Sequence, residues 1–521
     1  MSRRTALGFP KAIDVMETSL LDLLRAHAAQ TPDALCLTFA GETLSFADLD
    51  QRTSRAANAL AKRGVNPGDR VAMIARNCLV HFDLFFACAK LGAIFLPINW
   101  RLSAREIAGI LADGAPALLI VEDDLRSLLA ETASLPPILD LAAFAGWRDA
   151  GDPADAGRQP APDDPLLILY TSGTTGVPKG AVLSHGNLSY LAQMARELWG
   201  FTGSSVNLVA MPLFHIGGIG YAMTGLSQGG HTVLMQQVVP AEIIAAMRDH
   251  GVTHGFFVPT VIQMLLDVPG IAEMNLTSLE RILYGAAPIG EAVLKRAIEV
   301  FGCGFNHAYG MTETAGTVIT LAPEDHDPDG PRAHRLRSCG VPMPWNEVAL
   351  IDPATGERAA TGMVGEIRIR SRVNMLGYWN KPEETAKTIT PDGWLCTGDA
   401  AYQDADGYLY IHDRFKDMIV SGGENIYPTE IENVLYAHPG VAAVAVIAVP
   451  HERWGETPKA FVVARNGARS TEAELIAFTR KQLAHYKCPT SIAFVSALPQ
   501  NASGKILKKE MREPRWLKEN S

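Results

Sequence analysis

The alternation of apolar and polar positions divides the chain into short strands and amphipathic helices. Leu20 to Ala29 has helical periodicity, and "DALCLTFAGETLS" predicts a hairpin around Gly41. Phe46 to Arg63 predicts a helix that ends at Gly64. Beyond it, short apolar strands alternate with helices along most of the chain. We therefore expect an α/β fold of several layers, with sheets rich in parallel strands.

Two changes in the pattern predict connections between parts of the chain. Asp149 to Pro165 is rich in Pro, Asp, Gly and Ala, which is typical of an exposed connection. At Asp404 to Lys416 a turn and an alternating strand lead into a charged cluster. Three strands and a helix from Thr471 to His485 follow and form a unit of domain size. We predict an N-terminal domain over residues 1–414 and a C-terminal domain over residues 415–521.

The most apolar long stretch, "FDLFFACAKLGAIFLPI", predicts a buried helix followed by a strand. Asp83 and Lys90 interrupt it, and Pro97 ends it well short of the length that a membrane span requires.

Composition excludes several classes of protein. The 521 residues are 47% hydrophobic, enough for several packed units, and the net charge of -10 gives no global attraction for nucleic acid. Seven dispersed cysteines with no CxxC pair argue against a disulfide framework and a zinc site. The opening segment has no continuous apolar core, so it does not resemble a secretory signal. We expect a cytoplasmic protein.

The segment "ILYTSGTTGVPKG" predicts a phosphate-binding loop. Glycines and hydroxyls let backbone N–H groups surround a phosphate, and Lys179 supplies a positive charge. It is not a Walker loop, because Gly173 and Gly176 are too close together and Gly180 follows the lysine. Apolar strands flank it on both sides, so it joins strand to strand. The alternative is a plain Gly/Ser/Thr linker.

Other segments carry candidate chemistry together with plainer interpretations. In "AYGMTETAG", Thr312 and Glu313 offer a hydroxyl to phosphate and a carboxylate to Mg²⁺, or form an ordinary turn. "YGAAP" leaves space for a flat base or for packing at a helix entry, and Asp399 in "WLCTGD" suits ribose hydroxyls or a turn. The glycines of "MPLFHIGGIG" leave room for an apolar acid or let a helix pack closely.

Taken together, these segments resemble one family over essentially the whole chain. "YTSGTTGVPKG", "YGMTET", "TGD", "DRFKDMIVSGGENIYPTEIE" and "LPQNASGKILKKEMR" occur in the order and approximate spacing of the adenylate-forming superfamily. That superfamily includes acyl-CoA synthetases, coumarate-type CoA ligases, firefly-type luciferases and peptide-synthetase adenylation domains. The chain is most similar to its bacterial fatty-acyl-CoA synthetases. The resemblance implies a large N-terminal domain hinged to a small, mobile α+β C-terminal domain.

The resemblance also implies roles for individual residues. Catalysis would rest on Lys505, Thr312, Glu313 and Lys179, and the metal would be held by Glu313 and Thr171. ATP or AMP would contact the phosphate loop, the segments "GAAP" and "HAYG", the ribose-binding residues and the C-terminal lysines. These residues are Thr171, Ser172, Gly173, Thr174, Thr175, Gly176, Lys179, Gly285, Ala286, Ala287, His307, Ala308, Tyr309, Gly310, Thr312, Asp399, Arg414, Lys416 and Lys505. The acyl pocket would comprise His215, Ile216, Gly218, Ile219, Tyr284 and Met311. Coenzyme A would contact Ser421, Gly422, Gly423 and Glu424, and Lys416 would be the hinge.

The implied activity is an ATP-dependent carboxylic acid:CoA ligase that uses ATP, Mg²⁺ and coenzyme A. It would form acyl-AMP and pyrophosphate, then acyl-CoA and AMP, from a medium- or long-chain fatty acid or another bulky apolar acid. Aryl or steroid-side-chain acids, a stand-alone adenylation enzyme and a luciferase-like oxygenase are alternatives. "LFHIGGIGYAMTG" has no acid to pair with an amino-acid ammonium group, which disfavours an amino-acid adenylation site. Peripheral membrane contact and a homodimer stay open.

Overall fold

The computed structural model describes residues 18–171, 178–414, 417–421, 424–465, 470–500 and 506–520, without the side chains of residues 413, 414 and 425. Within these residues the strands are β1 Leu35–Phe39, β2 Glu42–Ser45, β3 Arg70–Ile74, β4 Ile94–Pro97, β5 Leu118–Val121, β6 Ile138–Asp140, β7 Pro165–Thr171, β8 Lys179–Ser184, β9 Val206–Val209, β10 His231–Leu234, β11 His254–Phe257, β12 Arg281–Gly285, β13 Gly304–Met311, β14 Gly316–Leu321, β15 Val341–Pro342, β16 Glu347–Ile351, β17 Gly365–Arg370, β18 Gly377–Tyr378, β19 Leu395–Gln403, β20 Leu409–Arg414, β21 Ile419–Ser421, β22 Glu424–Ile426, β23 Val441–His451, β24 Gly455–Ala464 and β25 Ser491–Phe494.

The helices of the same residues are α1 Leu20–Gln30, α2 Phe46–Lys62, α3 Val80–Leu91, α4 Ala104–Gly114, α5 Leu141–Asp149, α6 His185–Glu197, α7 Ile216–Ser227, α8 Pro240–Asp249, α9 Pro259–Leu266, α10 Glu291–Phe301, α11 Pro382–Thr388, α12 Pro428–Tyr436, α13 Glu472–Arg480, α14 Lys508–Met511 and α15 Pro514–Asn520. The predicted α/β class is confirmed. None of the described helices combines the length and apolarity that crossing a membrane requires.

The chain divides into two compact units. The first comprises Met1–Phe256, Met311–Gly316 and Arg372–Thr385, and the second comprises Phe257–Gly310, Thr317–Ser371 and Ala386–Ser521. The predicted division into residues 1–414 and 415–521 stays a prediction.

The first unit contains a seven-stranded sheet in the order β18-β8-β7-β4-β3-β5-β6. Its centre is parallel, since β4 and β5 both pair with β3 and β7 pairs with β4, while β8 and β18 add an antiparallel edge. Every residue of β4 and β5 is buried, which explains their continuous apolar sequence. A second set of strands in this unit has the order β11-β9-β10-β1-β2.

Local signals account for the elements that the sequence predicted near the N-terminus. A capping box at Ser45 and Asp48 begins α2, and the β1–β2 turn places Ala40 and Gly41 at φ 50° and 85°. The apolar stretch forms α3 and β4, as predicted. Its two charges are paired inside the unit, Lys90 with Asp50 and Asp83 with Arg52.

The second unit contains three groups of strands, in the orders β15-β14-β13-β12, β16-β17-β19-β20 and β22-β21-β24-β23. Strand β25 adds to β24 in parallel. The last group packs with α12 and α13 around a core that includes Ile431, Val446 and Leu475.

One predicted helix is too long. The sequence predicts helix from Thr471 to His485, whereas α13 ends at Arg480 and His485 begins a short 3₁₀ turn. The N–H of Leu483 donates to the carbonyl of Thr479, and the Leu483 side chain packs against the core of this group. The turn after α13 thus keeps one hydrogen bond of helical spacing, and its leucine packs on the core.

Candidate active site

The strands on either side of the predicted phosphate loop form an antiparallel pair. Thr171 of β7 pairs with Lys179 of β8 and closes the hairpin. The predicted contacts Ser172, Gly173, Thr174, Thr175 and Gly176 lie outside the described residues. Lys179 lies at the first position of β8 with only 8% of its surface exposed.

Lys179 contacts an acid and an aromatic ring of the first unit. Its ammonium group forms an ion pair with Glu384 and lies 5.2 Å from the centre of the Tyr378 ring. Strand β18 brings these groups close because Tyr378 pairs with Ala181 of β8. The N–H of Trp379 also donates to the carbonyl of Gly180 over 2.7 Å. The lysine is thus held by partners about two hundred residues away in sequence.

Thr312 and Glu313 lie in a 3₁₀ turn directly after β13. Their exposed fractions are 7% and 6%, and Thr314 holds the turn by accepting from the N–H of Met311. The Tyr378 hydroxyl donates to Oε1 of Glu313 over 2.7 Å, and the N–H of Met375 donates to the Glu313 carbonyl. Glu313 therefore shares its aromatic partner with Lys179.

The donor set suits a magnesium ion that is held jointly with phosphate. The described residues contain no group of three or more His, Cys, Asp or Glu that could enclose a metal by themselves. Mg²⁺ keeps several waters and commonly binds one or two carboxylates plus substrate phosphates. The single carboxylate of Glu313 fits that mode of binding.

A second group of predicted residues lies in the second unit. The Tyr309 hydroxyl donates to Oδ2 of Asp399 over 2.8 Å. Burial and the negative charge of Asp399 hold the pKa of Tyr309 well above its ordinary value, so this donor keeps its proton. Asp399 pairs in register with Arg414 of β20, whose side chain lies outside the described residues.

The "YGAAP" segment leaves β12 through a constrained turn. A methyl group on Gly285 would lie 2.0 Å from the carbonyl oxygen of Ala308 on β13, so glycine is required for this close pairing. Ala286 then adopts φ 65°, a conformation that costs a non-glycine residue energy and is common at ligand sites. Ala287 and Gly310 flank these positions.

His307 and Tyr284 are neighbours on adjacent strands. The ring of His307 packs edge-on against Tyr284, and its Nδ1 has no hydrogen-bond partner in the described part of the chain. Burial lowers the pKa of His307 to about 4, so its ring is neutral near pH 7. Tyr284 is fully buried and donates to His326. The structure thus places the Tyr284 side chain in the core of its unit, and its assignment to the acyl pocket stays a prediction.

The predicted acyl segment begins α7 in the first unit. His215 is the N-cap of the helix, where its Nδ1 accepts from the N–H of Gly217. A methyl group on Gly218 would lie 2.0 Å from the Pro212 carbonyl oxygen, and one on Gly217 would lie 3.1 Å from the Phe256 ring. These glycines thus serve close packing, which was the alternative interpretation. Ile216 and Ile219 are buried, and Met311 is partly exposed.

The predicted coenzyme A segment includes ends of the paired strands β21 and β22. Ser421 of β21 pairs with Glu424 of β22, and the intervening Gly422 and Gly423 lie outside the described residues. The predicted hinge Lys416 and the predicted catalytic Lys505 also lie outside them.

Sequence reasoning missed Tyr378 and Glu384. The segment "GYWNKPEET" has no charge pattern that marks a site, and only the pairing of β18 with β8 brings it to Lys179. The one local signal is Gly377, which adopts φ 146° directly before the tyrosine.

Comparison with known proteins identifies the family. Residues 24–379 match the family described as AMP-binding enzyme, and residues 430–505 match the AMP-binding enzyme C-terminal domain. The chain is 38% identical over 498 residues to fatty acid–[acyl-carrier-protein] ligase ScoC of Streptomyces coeruleorubidus, with 94% of each chain covered. It is 41% identical over 490 residues to a feruloyl-CoA synthase of Amycolatopsis sp, covering 93% of this chain and 97% of that one.

Solved structures agree with this result. The crystal structure of ATP-bound MatB from Rhodopseudomonas palustris superposes with a TM-score of 0.88 at 30% identity, over 96% of this chain and 99% of that one. The predicted resemblance is therefore confirmed. The chain belongs to the AMP-binding enzyme family, and it is an adenylate-forming acid–thiol ligase of the kind that uses ATP, Mg²⁺ and coenzyme A.

Proposed function

We propose that the substrate is a bulky carboxylic acid with an apolar tail, activated as acyl-AMP and then transferred to coenzyme A. The observation that carries this proposal is α7, which runs from Ile216 to Ser227 without a charged side chain and is buried along most of its length. A second carboxylate beside this helix would find no cation on it, and burying an unpaired charge is costly. Fatty acids are the first candidate substrates and aryl acids the second, because the relatives include a fatty acid ligase and a feruloyl-CoA synthase.

A panel of acids tests the substrate class. We expect CoA-dependent AMP release with octanoate, longer fatty acids or cinnamate, and little release with malonate. Efficient turnover of malonate, with octanoate and cinnamate inert, would contradict the proposal.

In the first half-reaction the main obstacle is electrostatic, because an anionic carboxylate attacks the α-phosphate. Fixed positive charge at the reacting atoms lowers this barrier, and holding both reactants in line adds the advantage of proximity. Lys179 and the loop from Thr171 would bind the β- and γ-phosphates, and Thr312 would contact the α-phosphate. Lys505 would neutralise the carboxylate and α-phosphate oxygens. Magnesium, when bound by Glu313 and Thr171, would supply further positive charge at the phosphates.

The nucleoside would be bound by residues of the second unit. Asp399 would accept from the ribose hydroxyls together with Arg414, and Tyr309 would hold the Asp399 carboxylate in place through its 2.8 Å hydrogen bond. Gly285 to Ala287 and His307 to Gly310 would flank the adenine. The unpartnered Nδ1 of His307 supports this, because a buried acceptor without a donor gains from a polar ligand.

The two half-reactions would use different orientations of the C-terminal segment. Lys505 must reach the carboxylate for adenylation, whereas Ser421 to Glu424 must later guide coenzyme A to the same carbonyl carbon. Two ion pairs hold α14, the helix that follows Lys505. Lys508 pairs with Glu432 and Arg512 pairs with Asp417, each at 2.8 Å. Asp417 directly follows the proposed hinge Lys416.

Two substitutions separate these roles. Lys416→Pro fixes φ and should slow thioester formation while adenylation survives. Lys505→Ala should abolish adenylation and spare thioester formation from supplied acyl-AMP. The alternation is wrong if Lys416→Pro slows neither step or Lys505→Ala harms only the second.

A carrier-protein thiol is a second candidate acceptor, because one relative is named as a fatty acid–[acyl-carrier-protein] ligase. Incubating the enzyme with its acid, ATP and equal concentrations of coenzyme A and a phosphopantetheinylated carrier protein distinguishes the two. We expect acyl-CoA as the main product, and exclusive acylation of the carrier protein would favour the second candidate.

A further inference from the structure

Tyr378 contacts both of the charged groups that the proposed function assigns to the triphosphate and its metal. The face of its ring lies 5.2 Å from the Lys179 ammonium, and its hydroxyl donates to Oε1 of Glu313 over 2.7 Å. One half-buried side chain thus contacts both groups by different parts of its ring.

The backbone fixes the position of this tyrosine from two sides. Gly377 and Tyr378 pair with Val182 and Ala181 of β8, the strand that begins with Lys179. The N–H of Tyr378 also donates to Oγ1 of Thr385 over 2.8 Å. The ring therefore keeps a set place relative to the lysine.

Opposite charges in a shielded site attract strongly, and a direct Lys179–Glu313 pair would occupy both groups. The Tyr378 ring gives Lys179 a neutral surface to lie on, and the Tyr378 hydroxyl satisfies one oxygen of Glu313. Within the described part of the chain, no other side chain donates to that carboxylate. Its second oxygen keeps its acceptor capacity for a cation.

We propose that Tyr378 is a positioning residue for the metal–triphosphate end of ATP: its hydroxyl orients Glu313 toward the metal, and its ring supports Lys179. This proposal rests on the proposed function, in which Glu313 holds magnesium.

The test measures nucleotide binding without acid or coenzyme A, so that no turnover occurs. Isothermal titration gives the Kd of ATP with Mg²⁺ and with EDTA, and the ratio of the two is the magnesium gain. Tyr378→Phe keeps the ring and removes the hydroxyl. We expect it to reduce the magnesium gain about tenfold, as for a lost hydrogen bond to a charged group. The Kd of ATP in EDTA and the Kd of AMP should stay unchanged.

Tyr408→Phe is the matched control. Tyr408 also donates to a carboxylate over 2.7 Å, that of Asp325, and carries a cation, Arg335, 4.1 Å from the centre of its ring. This variant should lose thermal stability like Tyr378→Phe and keep the full magnesium gain.

Two outcomes would overturn the proposal, and they differ in meaning. If Tyr378→Phe keeps the full gain, the tyrosine only packs, and the proposed function is untouched. If the wild-type protein shows no gain from Mg²⁺, the role of Glu313 fails and the proposal fails with it.

Discussion

At the scale of single residues, the ion pair between Lys179 and Glu384 bears directly on the proposed binding of ATP. The two side chains are 11% and 25% exposed, so the lysine is neutralised before any nucleotide arrives. In the proposed function, a phosphate that binds Lys179 displaces the Glu384 carboxylate and then lies close to its negative charge.

Glu384→Gln removes that competition. We expect the Kd of ATP to fall about three- to tenfold, consistent with a partly shielded ion pair, and the Kd of AMP to stay constant. Glu383→Gln is the control, because it makes the same change at an exposed position of α11. Weaker ATP binding by Glu384→Gln, of the kind expected for Lys179→Ala, would mean that Glu384 aids the site.

Candidate residues could be proposed where the chemistry is local. Lys179, Glu313 and Asp399 stand in short segments for which the sequence left a linker or a turn as the alternative, and the family resemblance supplied their proposed roles. Tyr378 and Glu384 could not be found in this way, since a long-range strand pair brings them to Lys179. From the sequence, Gly218 could either leave space for a ligand or allow close packing. The nearby carbonyl oxygen of Pro212 favours close packing.

At the scale of elements, the junction of β18 and α11 positions both groups around Lys179. Gly377 adopts φ 146°, and a methyl group there would lie 2.8 Å from Cγ2 of Thr385. Thr385 in turn accepts from the N–H of Tyr378.

Gly377→Ala should therefore push β18 away from α11. We expect a loss of about 1–3 kcal/mol in the free energy of unfolding and weaker binding of ATP with Mg²⁺. Gly393→Ala is the control, because Gly393 also has positive φ, 86°, but has open space around it. Equal ATP affinity in the two variants would contradict the positioning role of this junction.

Element prediction succeeded where local signals agree with packing. Capping boxes at Ser19 and Ser45 begin α1 and α2 at the positions that periodicity indicates. The helix after Thr471 was predicted too long because its sequence pattern continues past Arg480, where the regular helix ends. The short strand β18 left no periodic signal at all.

At the scale of the whole molecule, buried histidines predict a loss of stability in mild acid. Burial lowers the pKa of four histidines to about 4, namely His81, His185, His307 and His326. Between pH 6.5 and pH 4 the unfolded chain binds protons at these histidines that the folded chain does not bind. The free energy of unfolding therefore falls as the pH falls. The upper part of this window, from pH 6.5 to pH 5, lies above the range in which most carboxylates titrate.

Thermal unfolding between pH 6.5 and pH 5 measures this effect. For His81, which is 2% exposed, the slope approaches about 1.4 kcal/mol per pH unit once the unfolded histidine is protonated. Tm should fall steadily as the pH is lowered, and His81→Gln should show a shallower slope than the wild-type protein. A Tm that stays constant or rises over this window would contradict the assignment of neutral buried histidines.

The two-step reaction of a bulky apolar acid is the central claim, and a single-turnover experiment tests it most directly. Enzyme is mixed with an equal amount of ATP, Mg²⁺ and excess octanoate, first without coenzyme A and then with it. We predict one equivalent of pyrophosphate and enzyme-bound octanoyl-AMP before coenzyme A is added, followed by octanoyl-CoA and AMP after it. Formation of ADP and phosphate, or pyrophosphate release only after coenzyme A is added, would contradict the account.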